Sequence, residues 1–219
     1  MKVLVWDLPT RLFHFALLVL VVLAWVSVEI LDDMDLHFLC GYGILGLIIF
    51  RVCWGVVGTY HAKFSSFIRG PHDIKRYLAG DKSGYRGGHN PLGAMSVILL
   101  LGLIGAQAIS GLFTDDEYYY FGPLNSYISS SAVDVISQFH HLNVNFIIAA
   151  VALHLVAIFY YQDIKREQII IPMITGYKEK IGSIKEIQTS LLLRAIIVAV
   201  IAAMIVLGIA SLEGNDPLY

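Results

Sequence analysis

The sequence predicts an all-α integral membrane protein, a four-helix transmembrane bundle with a fifth, C-terminal transmembrane helix and a cytoplasmic N-terminus. Of its 219 residues, 57% are apolar and only 15% are charged, and the mean hydropathy is +0.71. A water-soluble domain of this size cannot bury so much apolar surface. Five apolar runs are each long enough to cross about 30 Å of hydrocarbon. All basic residues fall on one side of these five crossings.

The predicted spans cover about residues 12–30, 36–57, 91–113, 133–161 and 191–212. The first run is too long for the apolar core of a signal peptide, and no small-residue cleavage site follows it before Glu29. We therefore expect the first helix to remain in the mature protein.

The distribution of charge predicts the orientation. All fifteen Lys and Arg residues lie on one side with seven acidic residues, whereas the other side holds ten acidic residues and no basic ones. By the positive-inside rule the basic side is cytoplasmic, which predicts a multi-pass protein of a bacterial inner (cytoplasmic) membrane. The net charge of −2 gives no basic excess for a nucleic-acid partner.

The basic inner loop Phe64–Gly88 mixes charged and apolar side chains. This mixture is equally typical of an amphipathic segment on the inner membrane surface and of a solvated loop. His61 and His72 lie in or beside this loop, and we expect both to be solvated.

Four of the eight histidines lie at or inside the predicted spans, where ionisable residues are costly and usually functional. His14 lies at the cytoplasmic end of the first span, and His37 begins the second span on the outer side. His140 and His154 share the fourth span. Their fourteen-residue spacing turns them only about 40° apart around the helix and about 21 Å apart along it. His141 points to a different face and is the weaker candidate.

Matching these depths pairs His14 with His154 near the cytoplasmic side and His37 with His140 near the outer side. Two imidazoles on facing helices, with a flat apolar macrocycle between them, describe bis-histidine haem b. The sequence has no C-x-x-C-H motif, so any haem is bound non-covalently. The histidines therefore predict two haem b groups and an electron path between the membrane surfaces.

Two other interpretations of the histidines stay open. They are isolated neutral residues that hydrogen-bond between helices, or they carry protons or metal ions in a haem-free transporter or assembly subunit. A transporter would more naturally have Asp, Glu or Lys at the centres of its spans, and these centres contain none.

Further features fit a haem site but each has a second explanation. Gly41 lies one turn after His37, where its missing side chain would admit a porphyrin edge. Arg51 shares the His37 face at the cytoplasmic end, where it either binds a haem propionate or snorkels to the surface. Close helix packing is the simpler explanation for the small residues of the third span. These are Gly102, Gly105, Ser110 and Gly111.

Ordered motifs along residues 3–180 carry a family resemblance. They are W-D-L-P-T-R-L-F-H at 6–14, R-V-C-W-G at 51–55, the stretch from Phe64 to G-P at 70–71, G-H-N-P-L-G at 88–93, the His140/His154 pair and I-T-G-Y at 174–177. This set resembles the prokaryotic cytochrome b561 family, which includes the b-type cytochrome subunit of nickel–iron hydrogenases.

The resemblance implies a di-haem b membrane domain over residues 1–180. Hydropathy and charge add a further transmembrane helix and an outer-side tail over 181–219. It implies electron exchange between quinone and a redox partner on the outer face. Carried onto matching positions, the axial ligands are His14, His37, His140 and His154. The chain departs from the family pattern in three places: Phe15 replaces a frequent Trp, His61-Ala62-Lys63 replaces a Tyr-Ala-Arg-like stretch, and the fifth helix exceeds the four-helix core.

A quinone needs hydrogen bonds to two carbonyl groups and a proton route, so His89 and Asn90 at the inner mouth of the third span are candidate quinone-binding residues. The competing interpretation is that Asn90 and Pro91 only cap and open that helix. The acidic outer loops favour a basic partner such as a periplasmic c-type cytochrome, and the resemblance adds hydrogenase subunits as the alternative. The sequence leaves open whether the chain has quinone reductase or quinol oxidase activity of its own, or mainly anchors its partner to the membrane.

Overall fold

The computed structural model describes residues 2–80, 88–115, 120–179, 187 and 191–212. In chain order its elements are β1 (Lys2–Leu4), α1 (Leu8–Glu29), α2 (Met34–Val57), α3 (Phe64–Phe67), α4 (Pro71–Leu78), α5 (Pro91–Gly111), a 3₁₀ turn (Asn125–Tyr127), α6 (Ser130–Phe159), a π-helical turn (Tyr160–Ile164), α7 (Ile170–Thr175), β2 (Tyr177–Glu179) and α8 (Leu192–Ala210).

Five of these helices, α1, α2, α5, α6 and α8, are long and apolar enough to cross a membrane. The π-helical turn extends the α6 span to Ile164. Many of their large apolar side chains are exposed, Leu18, Leu153 and Leu193 among them, as expected for surfaces that contact lipid rather than water. The prediction of an all-α integral membrane protein with five spans is confirmed.

The chain forms two compact units. The first comprises Met1–His14, Arg51–Leu100 and Ala150–Ile196. In it, β1 and β2 pair antiparallel, and Gly176 ends α7 just before β2 with φ +89°. The Gly176 carbonyl accepts the N–H groups of Val5 at 2.9 Å and Trp6 at 3.1 Å. A Cβ at this position would lie 2.8 Å from the Trp6 oxygen, so both the backbone angle and the close approach require glycine.

The basic loop of this first unit contains α3 and α4. Pro71 occupies the first position of α4, where its missing N–H has no intrahelical partner to lose. The apolar side chain of Leu78 and the basic residues Lys75 and Arg76 belong to this strongly amphipathic helix, none of whose residues is buried. Pro71–Leu78 thus forms an amphipathic helix, but its position on the inner membrane surface stays a prediction, and residues 81–87 lie outside the described part of the chain.

The second unit comprises Phe15–Phe50, Leu101–Ala149 and Ile197–Tyr219. Its core contains Leu45 of α2, Leu112 directly after α5 and Val206 of α8. A Cβ added to Gly46 would lie 3.6 Å from Val206 Cγ2, in ordinary contact. The fifth helix, α8, thus supplies part of the core of this unit.

The basic residues of the chain are confined to one of the two units. Every Lys and Arg of the sequence falls in the ranges of the first unit, and the ten acidic residues of the predicted outer side all fall in those of the second. The predicted boundary between residues 180 and 181 and the tail over 213–219 lie outside the described residues.

Candidate functional site

The second unit brings His37 and His140 together. His37 lies in the first turn of α2 and His140 in α6, and their ring centres are 6.3 Å apart with an angle of 82° between the ring planes. When two imidazoles bind one metal ion from opposite sides, each nitrogen lies about 2.0 Å from the metal and about 1.1 Å from its ring centre. The two ring centres are then about 6 Å apart. The separation therefore fits two imidazoles on opposite sides of one metal ion, as in a haem with two axial histidines.

The hydrogen bond of His37 leaves its second ring nitrogen available for a metal. His37 Nδ1 lies 2.9 Å from the carbonyl oxygen of Ala24 on α1. Because a carbonyl oxygen only accepts, Nδ1 must carry the proton, and Nε2 then presents a lone pair. A bonded second nitrogen of this kind is what orients most metal-ligating histidines.

Two glycines of the second unit shape the space near this pair. A Cβ added to Gly41 would meet no atom within 4 Å, so the room predicted beside His37 is present. A Cβ on Gly111 would lie 3.1 Å from His140 Cε1, so this glycine makes space for the imidazole ring. Gly105 instead faces Ile48 at 3.5 Å, which matches the packing explanation.

The first unit contains His14 and His154, the other predicted pair. His14 lies in the second turn of α1, and the two imidazoles are close enough for an electrostatic interaction. His154 Nδ1 lies 3.2 Å from the hydroxyl oxygen of Ser96 on α5. When Nδ1 carries the proton and donates to this hydroxyl, Nε2 presents its lone pair to a ligand.

His61 differs from its prediction. It is only 4% exposed, and its ring centre lies 5.1 Å from that of Tyr60 and 6.3 Å from that of Trp6. The reason is local: the chain turns directly after α2, where the N–H groups of Ala62 and Lys63 bond to the Thr59 carbonyl, and this turn folds the imidazole inward. The expectation of a solvated His61 is therefore wrong.

The second loop histidine behaves as expected. The His72 side chain is 83% exposed, 3.8 Å from the carboxylate of Asp73. On α6, His141 is also exposed, in agreement with its prediction as the weaker ligand candidate.

His89 lies between two aromatic rings of the first unit. Its ring centre is 4.6 Å from Trp6 and 4.5 Å from Phe67. Its Nδ1 is buried and has no hydrogen-bond partner among the described residues. Burial, followed by electrostatic interactions with Arg51 and His61, lowers the pKa of His89 to about 3. His89 is therefore a neutral imidazole with an unused hydrogen-bonding nitrogen inside the protein.

Asn90 caps α5. Its Oδ1 accepts the N–H of Gly93 at 2.7 Å, and Pro91 opens the helix. The capping interpretation of Asn90 and Pro91 is confirmed, so a quinone at Asn90 would be bonded by its amide NH₂ group.

Arg51 is a buried cation, not a snorkelling surface residue. It is 3% exposed, its Nη1 donates to the Ala62 carbonyl at 3.1 Å, and its guanidinium carbon lies 4.8 Å from the centre of the Phe64 ring. Asp7 supplies a nearby negative charge. A buried guanidinium of this kind is a suitable partner for a carboxylate.

Several structural side chains carry no role in the sequence-based prediction. Asp7 is 6% exposed and accepts hydrogen bonds from Thr10 N–H at 2.7 Å, Trp54 Nε1 at 3.2 Å and Thr59 Oγ1. It is thus both the N-cap of α1 and its link to the end of α2. An Asp just before an apolar run is a recognisable cap signal, but its contacts fifty residues away in sequence are not visible in a local pattern.

The polar amides of Gln107 and Asn143 were also missed. Asn143 is 1% exposed and donates to Gln107 Oε1 at 2.9 Å. Amide side chains inside otherwise apolar spans were the available signal.

Comparison with curated proteins and with solved structures found no match. Comparison with protein-family models did find one: residues 5–176, more than three quarters of the chain, match the model for prokaryotic cytochrome b561. The chain therefore belongs to the prokaryotic cytochrome b561 family, membrane b-type cytochromes that bind haem and act in electron transfer.

Proposed function

We propose that this chain binds two haem b groups non-covalently and transfers electrons across a bacterial inner membrane, between the quinone pool and a redox partner on the periplasmic side. The axial pairs are His14/His154 and His37/His140. The observation that carries the proposal is the 6.3 Å separation of the His37 and His140 rings, together with the bond from His37 Nδ1 to a backbone carbonyl.

Haem b would supply a one-electron redox centre when bound, with the imidazoles of each histidine pair holding its iron. The residues of the chain hold this centre in place. The four histidines supply neutral ligand nitrogens, the apolar helices exclude water, and the buried guanidinium of Arg51 offers a positive charge to a haem propionate.

The quinone is proposed to bind at His89 and Asn90. The rings of Trp6 and Phe67 beside His89 offer aromatic surfaces against which the flat ring of a quinone can pack. The Nδ1 atom of His89, which has no partner among the described residues, can hydrogen-bond a quinone oxygen. Because His89 is neutral, this site can bond quinone without placing an additional charge in the protein interior.

The periplasmic partner is proposed to be a c-type cytochrome or the subunits of a hydrogenase. The acidic segments of the second unit contain no basic residue, so they would attract a partner with a basic docking face. Co-purification distinguishes the two partners, because a hydrogenase brings large metalloenzyme subunits and a cytochrome brings one small haem protein.

Single-histidine variants test the ligand assignment. His37→Ala and His14→Ala are each expected to lower the haem content of the purified protein from two per chain to one. His141→Ala is the matched control, since this neighbouring histidine is exposed, and should retain both. Two haems in every variant would contradict the pairing.

A His89→Ala variant tests the quinone site separately. It should keep both haems and slow the reduction of haem by quinol. Unchanged quinol turnover in a variant that retains both haems would remove His89 from the proposal.

A further inference from the structure

We propose that Ser110, Gln107 and Asn143 form a buried polar network that positions His140 as an axial ligand and fixes which of its ring nitrogens carries the proton. This network would therefore help to set the reduction potential of the outer haem. The inference rests on the proposed function in one respect, the role of His140 as a ligand.

The network begins with two amides that join α5 to α6. Asn143 of α6 is 1% exposed, and its Nδ2 donates to the Leu103 carbonyl and to Gln107 Oε1, both at 2.9 Å. Gln107 of α5 then donates through Nε2 to the backbone carbonyl of His140 at 3.0 Å. The two amides thus connect the backbone of α5 to the ligand residue of α6 itself.

Ser110 favours one tautomer of His140. Its hydroxyl donates to the Gln107 carbonyl at 3.0 Å and lies 2.9 Å from His140 Nδ1. A hydroxyl has one proton. With that proton directed at the Gln107 carbonyl, the Ser110 oxygen accepts a hydrogen bond from Nδ1–H, and Nε2 of His140 is then unprotonated and free to coordinate a metal.

Packing alone does not explain these polar residues. An amide buried inside a membrane span is costly unless it is hydrogen-bonded. Leucine would fill a similar volume at Gln107 and at Asn143 without this cost. The hydrogen bonds instead converge on His140: Gln107 bonds to its backbone carbonyl and Ser110 to its ring. A hydrogen bond to the distal nitrogen of a ligating histidine also raises its basicity, which stabilises the oxidised metal and lowers the reduction potential.

The test measures the midpoint potential of each haem in Ser110→Ala, Ser110→Thr and a control variant. Ser110→Ala should keep two haems and move the midpoint of one of them to a more positive potential, because the imidazole becomes a weaker donor. Ser110→Thr, which restores a hydroxyl, should return the midpoint to the wild-type value. Ser137→Ala is the matched control on α6, since this hydroxyl has no partner among the described residues, and should change neither midpoint.

Gln107→Leu tests the positioning role by a second route. It should increase the rate at which one haem is lost to an added haem acceptor such as apomyoglobin, while the second haem is retained. Wild-type loss rates in Gln107→Leu together with wild-type midpoints in Ser110→Ala would overturn the inference.

A His140→Ala variant separates this inference from the proposed function. If His140→Ala retains both haems, the ligand assignment itself fails. If it loses one haem while the Ser110 and Gln107 variants match the wild type, the ligand assignment stands and only the positioning network is wrong.

Discussion

Among single residues, Asp7 carries an unusually large share of the local structure. Its carboxylate caps α1 through Thr10 and accepts hydrogen bonds from Trp54 and Thr59, while it is almost completely buried. A buried acceptor with three donors is costly to remove, because each donor loses its partner without regaining water.

Asp7→Ala should therefore destabilise the protein by about 2–4 kcal/mol, of which the lost cap is worth about 1 and the lost side-chain hydrogen bonds about 1–3. Thermal unfolding in detergent measures this effect. Asp73→Ala, which removes a carboxylate that is 48% exposed in the first turn of α4, is the control and should melt close to the wild type. Equal melting temperatures for the two variants would show that the Asp7 contacts contribute little.

His89 makes stability depend on pH. Its pKa of about 3 in the folded protein lies below the usual 6.5, so the unfolded chain takes up a proton first as the pH falls. The folded state then loses up to about 1.4 kcal/mol of stability per pH unit between about pH 6.5 and about pH 3, and His89 causes no further change outside this window.

Replacing His89 by phenylalanine removes this titration and keeps an aromatic ring between Trp6 and Phe67. The fall in melting temperature between pH 7.5 and pH 5.0 should be smaller in His89→Phe than in the wild type. His72→Phe, at a site whose side chain is 83% exposed, should keep the wild-type fall. An unchanged fall in His89→Phe would mean that another group dominates the acid sensitivity.

At the scale of elements, helix α5 supplies the surface against which the His140 ring lies. Gly111 leaves room for that ring, since a methyl group there would lie 3.1 Å from Cε1 and the imidazole would have to shift by a few tenths of an ångström. A shift of this size in a ligand ring affects how firmly a metal centre is held.

Gly111→Ala should lower the amount of haem that stays bound during incubation with apomyoglobin, because it weakens the site at His140. Gly102→Ala, on the same helix, adds its methyl group where no atom lies within 4 Å and should retain both haems. The measurement is haem per polypeptide after incubation with apomyoglobin. Identical haem contents in the two variants would show that the ring tolerates the added group.

The spans themselves were predictable because hydropathy is a local property. The first predicted span, 12–30, compares with Leu8–Glu29, and the fourth, 133–161, compares with Ser130–Ile164 once the π-helical turn is included. The differences are confined to the ends, where caps such as Asp7 extend a helix beyond its apolar run. The burial of His61 was not predictable in this way, because it depends on a turn that folds the loop inward.

At the scale of the whole molecule, the separation of charge follows the division into two units. The acidic ranges of the second unit contain no Lys or Arg, so a basic partner would be attracted to them over distances comparable with the Debye length.

If steering of this kind operates, the second-order rate of electron transfer with a basic c-type cytochrome should fall steeply as salt is raised from about 10 mM to 150 mM, over which the Debye length shortens from about 30 Å to 8 Å. Stopped-flow reduction kinetics measure this rate. The control is transfer to a small neutral acceptor, whose rate should not depend on salt. A salt-independent rate with the cytochrome would exclude steering.

The sequence also predicted which histidines meet, since helical spacing and depth depend only on chain geometry. The structure brings His37 to His140 within the second unit and His14 near His154 within the first. The polar groups around them were beyond that reasoning. Ser110, Gln107 and Asn143 act through contacts between helices, and such contacts follow from side-chain packing that no single helical period encodes.

The central claim is that two histidine pairs hold two haem groups. The most direct test is the haem content per polypeptide of protein purified in detergent from cells supplied with haem, combined with a reduced-minus-oxidised spectrum of the same sample. The account predicts two non-covalent haem groups per chain and a b-type spectrum. One haem per chain would mean that one of the two pairs is wrongly assigned, and a colourless protein would contradict the account and favour a haem-free transporter or assembly subunit.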